Sequence, residues 1–126
     1  MPKKIVRKNI GECDVVAKAS YLGISPFKLR RIADLVRGVP VDQALAVLGN
    51  IPHKGGELLR DIVHSAVANA VHNNKMSEDG LHVGVILINE GPRHKRFQPK
   101  ARGRIYQILK RTSHVVVGLT RSEGVA

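Results

Sequence analysis

Hydrophobic positions along the chain switch between two periods. Residues 14–22 alternate: Val15, Ala17, Ala19 and Tyr21 fall on one face, Val16, Lys18 and Ser20 on the other. This is the pattern of a half-buried strand. At Ser25 and Pro26 the period changes. Leu29, Ile32, Ala33 and Val36 form the stripe of an amphipathic helix. Ser25 suits the N-cap, Pro26 the first helical position, and Gly38 the stop. After the break at Pro40, Asp42 can cap a short helix holding Ala44, Leu45 and Leu48, closed by Gly49. A longer helix is predicted over 57–73, with Leu59, Ile62, Val63, Ala66 and Ala70 as its buried stripe.

The second half reads as strands. Residues 81–88 are apolar on both faces apart from Gly84, and strand-like runs return at 105–109 and 115–119. Between them lies a stretch of opposite character. Residues 91–111 hold eight Lys or Arg and no acid, and no Asp or Glu occurs from 91 to 122. Within 93–104 only Phe97 and Ala101 are apolar beside Pro99. The gap far exceeds the loop of an ordinary hairpin, and an unstructured loop of that length is uncommon. The strands are therefore predicted to run on into an extended basic arm over about 89–107. At ~3.3 Å per residue, about eight residues beyond Asn89 reach roughly 25 Å. Such an arm buries too little to order itself, so an anion, most simply phosphate, has to hold it. The competing reading is a disordered basic loop. Residues 1–12 read as a flexible basic extension and 122–126 as a frayed end.

The chain has 126 residues, 21 Lys or Arg against 10 Asp or Glu, and a formal charge of +11. That length suits one domain spanning 1–126. The charge implies a polyanion: RNA, DNA or an anionic membrane surface. No apolar run is long enough to cross a membrane. The single cysteine, Cys13, gives no disulfide framework and fits a reducing compartment. The polar side of the first helix carries Lys28, Arg30, Arg31, Asp34 and Arg37. It reads equally as a solvated face or as a phosphate-contacting one. On the long helix, Ser65, Asn69, His72 and Asn73 form a polar face, and the small residues around them admit either a packed neighbour or an RNA strand.

The remaining polar residues form no catalytic or metal-binding pattern. The six histidines (53, 64, 72, 82, 94 and 114) lack the spacing of a metal motif, and the carboxylates are scattered. No nucleophile–base pattern or phosphate-binding glycine loop is present. The reading is of a protein without catalytic residues, metal or cofactor. His94 and His114, among basic residues, suit hydrogen bonding or phosphate contact.

Three blocks carry a family resemblance: ISPFKLRRIADLVRG at 24–38, SAVANAVHN at 65–73, and NEGPRHKRFQPKARGR at 89–104 followed by ILKRTSH at 108–114. Together they closely resemble the bacterial form of large-subunit ribosomal protein twenty-two, over about residues 14–120. The resemblance implies an α+β fold: three helices packed on a three-stranded antiparallel sheet, with a long protruding β-hairpin. It implies a cytoplasmic structural protein of the large ribosomal subunit, with ribosomal RNA, neighbouring ribosomal proteins and the nascent polypeptide as partners. The hairpin tip of that family lines the peptide exit tunnel near its constriction, close to where macrolides bind. By position this places the tip within 93–102, with Arg93, His94, Lys95, Arg96 and Phe97 lining the tunnel. Family members often carry Met where this chain has His94.

The residues expected on RNA are Lys28, Arg31 and Arg37 of the first helix, and Asn69, His72 and Asn73 of the long one. From the arm and its return come Arg93, Lys95, Arg96, Lys100, Arg102, Arg104, Lys110, Arg111 and His114. Lys and Arg supply phosphate contacts that position without reading sequence. Phe97 has two readings: stacking on an unpaired base, or contact with the opposite strand of the arm. Two other functions compete. A free nucleic-acid-binding regulator needs a recognition helix beside a partner helix at a short turn. An RNA-processing enzyme needs a catalytic cluster that the sequence does not display.

Overall fold

The strand nearest the end of the fold is its centre. In the computed structural model, which describes residues 13–121, β5 (Ser113–Arg121) lies between β1 (Val15–Leu22) and β2 (Leu81–Glu90), antiparallel to both. The basic extension expected over 1–12 and the frayed end over 122–126 lie outside the described residues. Three helices follow β1 in sequence: α1 (Pro26–Ala33), α2 (Val41–Asn50) and α3 (Lys54–His72). A second sheet holds only β3 (His94–Pro99) and β4 (Ile105–Lys110), which pair with each other. The fold is α+β, with three helices and antiparallel sheets.

The core lies between the helices and one face of the larger sheet. Leu29, Val36, Leu48, Leu59 and Val63 from the helical half meet Leu81, Val83, Val115, Val117 and Leu119 from the sheet, all buried. Burying one such side chain contributes about 1.5–3 kcal/mol relative to leaving it exposed. A bulge explains why β2 is apolar on both faces. Val83 pairs with Leu119 and Val85 with Gly118, so the register slips at Gly84. The core side passes from Leu81 and Val83 to Ile86 and Ile88.

Three local predictions are corrected. Tyr21 does not continue the buried face of β1. The ladder slips between Ala19 and Leu22, Tyr21 takes φ 58°, and its side chain is exposed, while Leu22 packs on the core. The first helix ends at Ala33 rather than near Gly38. Its buried stripe continues through tighter turns, Leu35 and Val36 donating to the carbonyls of Ile32 and Ala33. The chain is then drawn onto β2: Gly38 N–H donates to Val83 O at 2.8 Å and Val83 N–H to Val39 O at 3.0 Å. These bonds occupy part of an edge that would otherwise be open.

The long helix starts at Lys54, not 57, and includes Gly55 and Gly56. Glycine inside a helix costs roughly 0.5–1 kcal/mol against alanine. Close approach of α2 offsets that. A Cβ at Gly56 would lie 2.9 Å from Ile51 Cβ and 3.2 Å from Leu48 O.

Two outcomes follow from this packing. Gly56→Ala is expected to destabilise the protein by about 1–3 kcal/mol, because Cβ would press on a backbone carbonyl. Gly49→Ala, where nothing lies within 4 Å of the added carbon, should be neutral or stabilising by up to ~1 kcal/mol. Urea denaturation of both variants checks the contrast, and equal effects would contradict it. Amide exchange in the free protein should divide the chain likewise. The amides of β5 should be well protected, and those of β3 and β4 should exchange orders of magnitude faster, since an isolated two-stranded ladder is marginal in water.

Candidate nucleic-acid interface

The basic arm is a ladder of six residue pairs, from His94 with Lys110 to Pro99 with Ile105. It grows out of the larger sheet. Glu90 faces Ser113, and Gly91 N–H donates to Thr112 O at 2.9 Å, continuing the β2–β5 register. Then the register changes by one residue at 92–93. Pro92 has no N–H to contribute, and its carbonyl accepts from Thr112 Oγ1 at 2.7 Å. From Glu90 to Pro99, at ~3.3 Å per residue, the arm measures roughly 30 Å. Every residue of β3 is exposed.

The turn is not where the sequence placed it. Pro99 pairs with Ile105, and Lys100 N–H donates to Arg104 O at 2.7 Å, so the turn spans 100–104. Arg102 and Gly103 take φ of 64° and 70°, reversing the chain within one short turn. The far end therefore presents Lys100, Arg102 and Arg104. Arg93, His94, Lys95, Arg96 and Phe97, expected at the tip, lie instead at the base and along β3. The turn is set by the left-handed pair.

Strand alternation gives the arm two faces. Lys95, Phe97, Pro99, Ile105, Gln107 and Leu109 share one. His94, Arg96, Gln98, Tyr106, Ile108 and Lys110 share the other. Phe97 is 70% exposed opposite Gln107, so it does not rest on the opposite strand. Lys100 Nζ sits 5.8 Å from the centre of the Tyr106 ring, a cation–π contact that stiffens the far end.

At the arm's base, cations distant in sequence converge. An open cleft of about 860 Å³ is lined by Lys28 and Arg31 of α1, His53 and Lys54 at the start of α3, and His94, Lys110 and Arg111 of the arm. None of its lining residues is a carboxylate. The first turn of α3 lies here, so the positive end of its dipole adds to the side-chain charge. Sequence reading missed His53 and Lys54 because Gly55 and Gly56 read as a loop and the helix was started three residues late; the only signal for them is the basic pair itself.

Other predicted residues are placed differently. Arg37 is tied inward: Nη1 pairs with Asp34, and Nη2 donates to Ile86 O at 3.0 Å. Arg30 Nη2 donates likewise to Ile88 O at 3.0 Å. These two guanidinium groups clamp α1 and the turns that follow it to β2. Asn69, His72 and Asn73 sit at the far end of α3, roughly 25 Å from Lys54 at ~1.5 Å per residue, and so do not join the cleft. Arg93 pairs with Glu90 at 3.3 Å. His114 Nδ1 accepts from Tyr21 N–H at 3.1 Å, which makes it a structural partner of the β1 bulge. Among the described residues, α1 and α2 are separated by 34–40, which pack on β2, so they lack the short turn of a helix-turn-helix.

Comparison with known proteins identifies the family. The family model described as ribosomal protein L22p/L17e matches residues 17–120. The large ribosomal subunit protein uL22 of Mycoplasma capricolum is 50% identical over 101 residues, covering 80% of this chain and 91% of that protein. The proteins of the same name from Mesoplasma florum and Roseiflexus sp. are each 48% identical over 101 residues, covering 80% of this chain and 90% and 89% of theirs. Ordered blocks, α+β fold and match across nearly the whole described chain lead to one statement: the chain belongs to the ribosomal protein L22p/L17e family.

Proposed function

We propose that this chain is a structural constituent of the large ribosomal subunit that binds ribosomal RNA, supports subunit assembly and lines the nascent-peptide exit tunnel with the turn of its arm. One observation carries the reading. Cations from α1, α3 and the arm meet in a single cleft without a carboxylate, and the arm continues that charge outward. A polyanion with closely spaced phosphates matches such a surface better than an isolated acidic group. Neighbouring large-subunit proteins are further partners in this reading, and a nascent polypeptide meets only the turn.

The arrangement assigns separate roles. Lys28, Arg31, Lys110 and Arg111, at the cleft, dock the body on RNA. Lys95 and Arg96 hold the length of the arm among phosphates, and Phe97, free of the opposite strand, is available to stack on an unpaired base. Lys100, Arg102 and Arg104, at the far end, take the tunnel-facing role first given to 93–97. Asn69, His72 and Asn73 form a second contact at the other end of α3. Family membership supports the ribosomal part of this reading; the tunnel contact rests on the family resemblance of the arm, whose length and exposed turn are compatible with it.

Binding should be strongly salt-dependent. Against a large-subunit RNA fragment, log affinity is expected to fall by roughly 0.7–0.9 per phosphate neutralised for each unit of log salt. A flat dependence would rule out phosphate contact as the main source of affinity. Variants should separate body from tip. Arg31→Glu, Lys110→Glu and Arg111→Glu together should greatly reduce the protein bound to purified large subunits. Lys100→Ala, Arg102→Ala and Arg104→Ala together should leave incorporation largely intact while altering macrolide response or nascent-chain stalling. The assignment fails if the tip variant blocks incorporation and the cleft variant does not.

A further inference from the structure

One exposed aromatic side chain is held in a way that neither the core nor the arm explains. Tyr21 is 70% exposed, yet it is not loose. Its backbone is in the left-handed region at φ 58°, which costs a non-glycine residue about 1–3 kcal/mol. Its N–H is bound at 3.1 Å by His114 Nδ1, and its ring meets the His114 ring edge-on, centres 4.9 Å apart and planes 86° apart. Because Nδ1 accepts a hydrogen bond, the neutral imidazole carries its proton on Nε2, which is left as a donor.

The surroundings favour a nucleic acid over an apolar peptide. His114 pairs across the sheet with Asn89, and Lys18 pairs with Val116, the next residue of β5 on the same face. This is the sheet face turned away from the helices, as the buried alternation of Val115, Val117 and Leu119 shows. Asp14 is the acid of β1's flank on this face, at the far end of the strand, and its carboxylate accepts from Arg121 N–H. The face thus offers an aromatic ring, an imidazole N–H, an amide and an ammonium, beside the apolar Leu87 and Val116. Sheets that bind single-stranded RNA combine the same elements: a ring for stacking and donors for the base edge or backbone.

We infer that Tyr21, braced by His114, is a stacking platform for an unpaired nucleobase of RNA, distinct from the cleft and from the arm. The bulge supplies the rigidity: the ring is fixed before RNA arrives, so little rotamer freedom is lost on binding. The inference deepens the RNA-binding reading and rests on it.

The sequence provides the means to test this. The chain has two tyrosines and no tryptophan. Full-length protein labelled with 3-fluorotyrosine gives two fluorine resonances, assigned with Tyr106→Phe. The probes are a mixed-sequence single-stranded RNA of about twelve nucleotides and the same sequence as a duplex. The single strand should shift the Tyr21 resonance upfield, and the duplex should not. Tyr21→Leu should weaken single-strand binding about tenfold, with Tyr21→Trp at least as tight as the parent. Binding of the single strand without movement of the Tyr21 signal, and with unchanged affinity for Tyr21→Leu, would overturn the platform and leave RNA binding standing. Absence of binding to either RNA would overturn both. Should Tyr21→Leu not fold, the fluorine shift and Tyr21→Trp still decide.

Discussion

Everything in this structure hangs on β5 being paired on both sides. Val115, Val117 and Leu119 are fully buried against the helices, while the backbone between them is bonded to β1 and β2. The same strand organises what lies outside the core. At its first residue, Ser113 Oγ donates to Ile24 O and so fixes the segment leading into α1. One residue earlier, Thr112 closes the base of the arm. Core, cleft and arm share one short piece of chain, so the cleft's geometry is set by the same bonds that hold the fold.

Charge is the opposing force. Only two ion pairs are present among the described residues, each between neighbours three apart on the surface. Exposed pairs of this kind contribute about 0–1 kcal/mol. Arg30 donates to a backbone carbonyl instead, and Arg37 donates to one in addition to its pair with Asp34. Most of the other described cations are gathered at the cleft and along the arm, where like charges repel one another. An apolar body with its own core tolerates that repulsion because the arm is kept off it, paired only with itself. The arrangement is costly alone and favourable beside a polyanion, which makes the free protein the less comfortable state.

The body was largely legible in the sequence because its two periods are clean. Leu29, Ile32, Ala33 and Val36 are all buried, as their spacing demands, although the helix itself stops at Ala33. Periodicity reports which side chains face the core, not how the backbone between them is wound. The failures came where tertiary contact overrides local preference. Gly55 and Gly56 look like a loop, but they are a closely packed helix start, Gly55 against Ile32, Ile24 and Leu29 and Gly56 against Ile51 and Leu48. Tyr21 breaks its own strand's alternation because a bulge turns it out. In the arm, charge and prolines marked an extended element, but with no buried side to set a phase the position of the turn was open. Arg102 and Gly103 decide it through backbone conformation alone.

The continuity of the ladder has a mechanical meaning. Pairing runs from the body to Gly91 and Thr112 and resumes, shifted by one residue, at His94 and Lys110, with only Pro92, Arg93 and Arg111 between the two ladders. The arm is therefore not hinged to the domain. A pull along its axis at the turn draws β2 and β5 together, so it is resisted in shear by the β1–β5 ladder and by the bonds of Gly38 and Val39 to Val83. A push sideways meets only two strands and the Thr112 closure. The protein is in this sense a stiff tie along one direction and a compliant reed across it.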